Sequence, residues 1–253
     1  MATSEIASES GHFYDREGNP AYTYRNKKGA EKKTTLREAR KFSYVPSVTT
    51  VMNILAKPQL EKWKQNQILM AAMTLPAIKG ETLDQYAVRV MKDAQEHARE
   101  ARNKGTYIHG QLERYFQFKQ IDEEAKPICK AVKAEVEKIF KRLPISEHSF
   151  AHPLGYGGKT DLCDQDAVVD FKTKDFGETD LQKGWPDHCY QLAAYRHGLG
   201  YNNARCYNIF VSVSNPGLVH IYKWKEEELQ DGLKVFLAAL ELWKAIKKFD
   251  SAF

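Results

Sequence analysis

Apolar and polar positions along the chain follow two different periods, and the period changes near the middle of the sequence. Apolar residues spaced three and four apart predict helices. The predicted helices cover 48–55, 58–74, 82–104, 106–119, 122–142, 187–199 and 226–249. Short apolar or alternating runs predict strands near 146–152, 158–164, 167–173, 204–213 and 217–224. Helices before and after a central run of strands predict an α/β fold, with a central mixed β-sheet flanked by helices and a helical N-terminal part.

Local signals mark several helix ends. Thr82 followed by Gln85 has the spacing of a capping box, which predicts that a helix begins there. Gly105 favours a helix end and Thr106 can cap a new helix, so the pattern over 82–119 predicts two helices. Asp187 can cap the helix that follows the strands.

The length and composition fit one large domain. A chain of 253 residues can bury a substantial core, so we expect a single domain over 11–253 after a disordered tail at 1–10. The expected parts are a basic and aromatic N-terminal arm at 11–44, a helical part at 45–143 and a sheet core at 144–253. The acidic N-terminus does not resemble a signal or transit peptide. The longest apolar stretch, 68–78, is too short to span a bilayer, so no membrane partner is expected.

The cysteines are few and widely scattered. They are Cys129, Cys163, Cys189 and Cys206, and no C-x-x-C pair exists among them. This spacing argues against a structural zinc and against an iron–sulfur cluster, and it does not resemble a secreted disulfide framework. We therefore expect free thiols in a reducing compartment such as the cytoplasm.

The residues from 158 to 173 predict a β-hairpin with the two-residue turn Gln165–Asp166. Side chains alternate between the two faces of a strand, so Asp170 and Lys172 share a face. The predicted register opposes two pairs, Asp161 with Asp170 and Lys159 with Lys172. The other face carries Leu162, Val169 and Phe171, which indicates packing against a core.

The opposed aspartates point to a cation. Directly opposed residues bring their Cβ atoms to about 4.5–5.5 Å, and two carboxylates that close repel unless a positive charge lies between them. A divalent cation with oxygen ligands supplies that charge, and Lys172 adds another. The arrangement suits hydrolysis of a phosphodiester. The alternative is an ordinary solvated acidic face.

Two helices carry further polar pairs. His109 and Glu113 are four residues apart, so they stand on one face of a helix. Gln191 and Tyr195 are spaced in the same way on the helix after the hairpin. Either pair alone is typical of an ordinary amphipathic helix.

Taken in order, these motifs resemble one family. The motifs are Gly-Thr-x-x-His-x-x-x-Glu at 105–113, Gly-x-x-Asp at 158–161, Asp-Phe-Lys-Thr at 170–173 and Gln-x-x-x-Tyr at 191–195. They look like the RecB-like exonuclease branch of the PD-(D/E)XK nucleases. The segment from Pro46 to Trp63 is also similar to the opening helical segment of phage and mitochondrial members. The resemblance covers 45–200 and implies a restriction-endonuclease-like core.

The resemblance implies a role for each matched residue. The implied metal ligands, for Mg²⁺ or Mn²⁺, are His109, Asp161, Asp170 and the backbone carbonyl of Phe171. The implied catalytic residues are Lys172, Asp161, Asp170 and Glu113, of which Glu113 would bind a second metal or orient a water. The implied nucleic-acid contacts are Gln191, Tyr195, Ser47, Thr49, Lys174, Arg37, Arg40 and Lys41. Some relatives hold an iron–sulfur cluster, but Lys57 and Pro58 stand where its first cysteine would be expected.

Positive charge is concentrated near the N-terminus. The net charge of +5 is compatible with a phosphate-backbone partner without requiring one. Eight basic residues crowd together, namely Arg25, Lys27, Lys28, Lys32, Lys33, Arg37, Arg40 and Lys41. Aromatic residues lie among them, and aromatic faces can stack on unpaired bases. A hairpin is predicted over 12–24, around the turn-forming run 15–20. The alternative is a solvated charge run whose aromatic residues pack under the fold.

The function implied by the resemblance is a Mg²⁺- or Mn²⁺-dependent deoxyribonuclease, with exonuclease favoured over endonuclease. The implied setting is recombination, repair or replication of phage or organelle DNA, with a single-strand-binding or annealing protein as a further partner. One alternative is a nuclease-fold DNA-binding or recombination-partner protein without catalysis, against which the intact His, Asp, Asp and Lys set argues. A facial-triad oxygenase needs a second histidine ligand, and a phosphatase for small substrates does not explain the basic arm.

Overall fold

The computed structural model describes residues 11–26 and 28–253. The predicted tail at 1–10 and Lys27 of the basic run lie outside the described residues. Nowhere in the described part of the chain is a helix both long enough and apolar enough to cross a membrane.

The N-terminal arm forms two small ribbons. Its elements are β1 (Phe13–Tyr14), β2 (Thr23–Arg25), β3 (Glu31–Lys33), α1 (Leu36–Phe42), β4 (Val45–Pro46) and α2 (Val48–Met52). Strand β1 pairs with β4, and β2 pairs with β3. The hairpin predicted over 12–24 forms in part, since Tyr14 pairs with Pro20 in an antiparallel bridge and the Ala21 N–H donates to the Phe13 carbonyl. The predicted arms are not paired along their full length, because Thr23–Arg25 pairs with β3. The predicted turn does form, since the Asp15 carboxylate accepts hydrogen bonds from the N–H groups of Glu17 and Asn19.

The helical part follows. It consists of α3 (Pro58–Thr74), α4 (Leu83–Phe116), a 3₁₀ turn (Glu123–Ala125) and α5 (Lys126–Ile139). The capping box is confirmed, because Thr82 Oγ1 accepts from the Gln85 N–H and Gln85 Oε1 accepts from the Thr82 N–H. Helices α3 and α4 pack against each other through Ala71, Val90 and Ala94.

Helix α4 continues without a break through Gly105, so the two helices predicted over 82–119 are wrong. Gly105 is buried, and a Cβ at this position would lie 2.7 Å from Thr173 Oγ1. The glycine therefore serves a close approach between α4 and a strand of the sheet and does not end a helix.

We expect Gly105→Ala to destabilise the fold by about 1–2 kcal/mol, because the added methyl meets Thr173. Gly110→Ala is the matched control on the same helix, where an added Cβ meets no described atom within 4 Å beyond its chain neighbours and the helix's own backbone. It should instead stabilise by about 0.5–1 kcal/mol, since alanine favours a helix interior. Urea unfolding of both variants measures the difference. Adding Thr173→Ala to the Gly105→Ala variant should restore the lost stability. If stability is not restored, the clash with Thr173 is not the cause of the destabilisation.

The central sheet has five strands that lie side by side in chain order. They are β5 (Ile145–His152), β6 (Tyr156–Cys163), β7 (Ala167–Lys174), β8 (Arg205–Ser212) and β9 (Val219–Lys223). Strands β7 and β8 are parallel and the other neighbours are antiparallel, so the sheet is mixed. The remaining helices are α6 (Pro186–Gly198), which connects the parallel pair, and α7 (Glu226–Lys247).

Helices cover both faces of the sheet. One core joins α2, α6 and α7 to the sheet, and the other joins α4 and α5 to it. The predicted fold class, a central mixed sheet flanked by helices with a helical N-terminal part, is confirmed. The start of α6 differs from the prediction, because Trp185 is the N-cap and Pro186 takes the first helical position. Asp187 lies in the first turn and does not cap the helix.

Candidate metal centre

The predicted hairpin between β6 and β7 forms, but its ladder is short. Its turn lies at Gln165–Asp166, and the Asp164 carboxylate accepts from the N–H groups of Asp166 and Ala167. The register is the predicted one, with Leu162 opposite Val169 and Cys163 opposite Val168. These two pairs form the ladder between β6 and β7. Beyond the pair of Leu162 and Val169, on the side away from the turn, the two strands diverge.

Because the strands diverge, the predicted pairs Asp161–Asp170 and Lys159–Lys172 are not part of the ladder. Asp161 Oδ2 accepts a hydrogen bond from the backbone N–H of Phe171 at 2.5 Å, so a carboxylate lies where the ladder would continue. Lys159 does not reach Lys172 as predicted. Its ammonium instead pairs with Glu147 on β5, because the separated strands leave β6 paired with β5 alone at this level.

The Asp170 carboxylate is held by three donors. Its Oδ1 accepts from Gln191 Nε2 at 3.1 Å, and its Oδ2 accepts from Asn208 Nδ2 at 2.7 Å and from Lys172 Nζ at 2.7 Å. The side chain of Asp170 is 7% exposed. A carboxylate this buried is stable only with such donors. The network therefore fixes both its position and its orientation.

Gln191 connects the strand to helix α6. Its Oε1 accepts from Lys172 Nζ at 3.0 Å, and its Nε2 also donates to the hydroxyl of Tyr195 at 2.9 Å. One amide group thus touches Asp170, Lys172 and Tyr195, as the i,i+4 spacing on this helix allows. Tyr195 is buried, so its hydroxyl holds the Gln191 amide from the interior side of the helix.

The sequence prediction missed Asn208 and Trp224. Asn208 stands directly opposite Asp170 in the parallel pair of strands, and its Oδ1 accepts from Trp224 Nε1 at 2.8 Å. Both side chains are buried. A lone asparagine within the apolar run of β8 was a usable signal, because a buried amide needs partners.

Among the acids of the site, Asp161 has the pKa that is shifted furthest from its ordinary value. Burial, and then the nearby charge of Asp170, raise the pKa of Asp161 to about 7, although the Phe171 N–H and Lys172 oppose the shift. The charges of Lys172 and Lys159 do not offset burial and the charge of Asp170. His109 Nδ1 lies 4.0 Å from Asp161 Oδ1. Burial, followed by the charge of Lys172, lowers the pKa of His109, so its imidazole is neutral at pH 7.

A second acidic group adjoins the first. Glu147 on β5 has a positive φ of 58°, which is rare for a residue other than glycine. Burial raises the pKa of Glu147, and the charges of Asp161 and Glu113 act in the same direction, whereas Lys159 opposes them. Glu113 and Glu147 thus lie beside the aspartates. Sequence alone gave no signal for Glu147.

The predicted nucleic-acid contacts are dispersed. Ser47 is buried and caps α2 by accepting from the Thr50 N–H, whereas Thr49 is exposed. The ammonium of Lys174 lies 4.9 Å from the ring of Trp185, on the strand face that carries Lys172. Three predicted contacts, Arg37, Arg40 and Lys41, lie on α1. Arg40 there donates to the backbone carbonyl of Lys247 and stands over the ring of Phe249.

The donor set fits a divalent cation. Within residues 11–26 and 28–253, no three His, Cys, Asp or Glu side chains converge into a complete ligand set. His109 Nδ1 nevertheless lies 4.0 Å from Asp161 Oδ1, and the charge of Asp170 acts with burial to raise the pKa of Asp161. Carboxylate oxygens suit Mg²⁺, and an imidazole favours Mn²⁺.

Comparisons with known proteins concern the fold. No model of a known family matches the chain, and no curated protein matches it. A solved structure from Eubacterium rectale, described as a "Putative exonuclease", is similar over 57% of this chain and 68% of its own, with 14% identity and a TM-score of 0.41. An alkaline exonuclease from Laribacter hongkongensis is similar over 80% of this chain and 91% of its own, with 14% identity and a TM-score of 0.37.

Proposed function

We propose that this protein is a divalent-metal-dependent DNA nuclease, and that it acts as an exonuclease in recombination, repair or replication. One observation carries the proposal: Lys172 Nζ lies 2.7 Å from Asp170, beside a second aspartate whose pKa is raised to about 7. Two acids in need of a cation, next to an ammonium, suit attack on a phosphodiester. The RecB-like motifs in the sequence agree with this function, as do the names of the similar exonuclease structures.

Mg²⁺ or Mn²⁺ would be held by Asp161, Asp170 and His109, together with the Phe171 carbonyl that the motif implies. The metal would supply Lewis acidity and lower the pKa of water, so that a nucleophile forms at neutral pH. His109 can ligate because its pKa is lowered and its ring is neutral at pH 7. Asp170 keeps one geometry because Gln191 and Asn208 hold its two oxygens.

Lys172 would stabilise negative charge that develops on the phosphate. Its ammonium is already oriented, since Asp170 and Gln191 both accept from it. Glu113 lies one helical turn beyond His109, where it could orient a water or bind a second cation. The basic residues of β3 and α1, with Lys174, would contact the DNA backbone.

The direct test uses end-labelled DNA, single- and double-stranded, linear and circular, incubated with Mg²⁺, Mn²⁺ or EDTA. We expect metal-dependent release of nucleotides from linear DNA and intact circles. Cutting of circles would show an endonuclease instead. Binding without any cleavage in either metal would support the inactive nuclease-fold protein and contradict the proposal.

Metal affinity should depend on pH through Asp161. Its pKa is raised to about 7, so below that pH a proton competes with the cation. We expect the affinity for Mn²⁺ to fall by about tenfold per pH unit below pH 7 and to level off above it. Calorimetric titration of the DNA-free protein between pH 5.5 and about pH 8.5 measures this. An affinity that stays constant across the window would remove Asp161 from the ligand set.

A further inference from the structure

A groove of about 970 Å³ lies between the end of α4 and helix α5, apart from the metal centre. Its floor includes the buried side chains of Phe116, Val136 and Phe140. At its edge stand Phe118 and Leu143, which are 78% and 67% exposed. We call this the Phe118 groove. It offers an apolar floor with two large apolar side chains that face water.

Phe118 adopts an unfavourable backbone conformation. Helix α4 ends in a Schellman motif, in which the N–H of Lys119 donates to the Arg114 carbonyl and that of Phe118 to the Tyr115 carbonyl. Phe118 therefore occupies the position with positive φ, here 57°, where glycine or asparagine is preferred. A bulky residue there costs free energy, and its exposed ring gains little burial in return. The exposed ring is therefore available to a contact outside the chain.

The walls of the groove are basic. Its lining includes six basic and two acidic side chains. Both acids are already paired, Glu123 with Lys126 at 2.5 Å and Glu137 with Lys133 at 3.5 Å. Over the described residues, no carboxylate pairs with the four remaining basic groups, which are Lys119, Lys130, Lys141 and Arg142. The groove thus combines an apolar floor with uncompensated positive charge.

We propose that the Phe118 groove binds an acidic peptide segment of a partner protein, one that carries a large apolar side chain beside its carboxylates. The carboxylates would pair with the unpaired basic groups, and the apolar side chain would lie against Phe118 and the floor. The backbone of duplex DNA would use the basic groups but leave the apolar surface wet. Charge and apolar area together therefore favour a peptide.

The groove is close enough to the metal centre to bring a partner beside it. Phe116 is seven residues beyond His109 on α4, which is about 10 Å along the helix axis. The Phe116 ring also stacks on Phe171, with ring centroids 6.0 Å apart. The partner would thus be held beside the nuclease site without occupying it. This goes beyond the proposed function and does not depend on it.

The test is fluorescence anisotropy of a labelled peptide with five aspartates followed by two phenylalanines, added to the full chain without metal or DNA. We expect saturable binding, weakened at least about tenfold by Phe118→Asn and by the pair Lys130→Glu and Lys141→Glu. Asparagine tolerates the positive φ, so Phe118→Asn should melt no lower than the wild type. Reversal of the exposed Lys62 and Lys79, outside the groove, is the matched control and should change nothing.

Two further probes separate the occupants. A peptide with serines in place of the phenylalanines should bind at least about tenfold more weakly, because the floor is unused. A single-stranded oligonucleotide of equal charge should compete poorly. Equal competition by the oligonucleotide, or unchanged binding to Phe118→Asn at an unchanged melting temperature, would overturn the proposal.

Discussion

Lys172→Ala should lower the rate of DNA cleavage by about 10²–10³-fold, because it removes the positive charge proposed to stabilise the phosphate in the transition state. The fold should survive. Asp170 would keep its hydrogen bonds from Gln191 and Asn208, at 3.1 and 2.7 Å. Single-turnover cleavage at saturating metal measures the effect, and thermal melting checks the fold.

The matched control is Lys174→Ala, two residues further along the same strand face. Its ammonium lies over the rings of Trp185 and Phe210 and touches neither aspartate. We expect Lys174→Ala to raise KM for DNA with little change in kcat. If Lys172→Ala cleaves at the wild-type rate, or if both variants lose the same amount in kcat, Lys172 does not have the proposed role.

Asp161→Asn should abolish cleavage and at the same time make the metal-free protein more stable. The pKa of Asp161 is about 7 in the folded protein, against an ordinary value of 3.8. Its protonated form is therefore favoured by folding, and this contribution is present below pH 3.8 and lost as pH rises through 7. Asparagine never ionises, and its oxygen can still accept from the Phe171 N–H. The gain in the free energy of unfolding should approach about 4 kcal/mol above pH 7.

The pH dependence distinguishes this cause from others. The stabilisation by Asp161→Asn should grow between pH 4 and 7 and then level off. Denaturant unfolding in EDTA at pH 5 and pH 8 measures it. Asp166→Asn, at the exposed turn of the same hairpin, is the control and should show no such trend. A variant that is less stable than the wild type at pH 8 would contradict the raised pKa.

Much of this arrangement could be predicted from the sequence because it depends on short-range rules. The turn at Gln165–Asp166 fixes the register of β6 and β7, and register fixes which face carries Asp170 and Lys172. The spacing of Gln191 and Tyr195 likewise fixes their common helix face. These relations lie within a hairpin or a helix, so the chain encodes them locally.

What could not be predicted depends on contacts between distant segments. Gly105 looked like a helix end, because only the approach of Thr173 explains a glycine inside α4. Asn208 became a site residue through the parallel pairing that sets it opposite Asp170. Glu147 of the acidic cluster has a positive φ, and its residue type does not predict that conformation. In each case the partner is far away in sequence.

The unbroken course of α4 has a mechanical consequence. Its 34 residues form a rod of about 51 Å, anchored by α3 near one tip and ending at the Phe118 groove at the other. His109 and Glu113 are mounted on this rod with no hinge on either side. A pull or twist applied at either tip must therefore displace the imidazole and its neighbouring acid as one unit. A partner held in the Phe118 groove, as proposed, would in this way shift His109 and Glu113 without contacting the proposed DNA substrate.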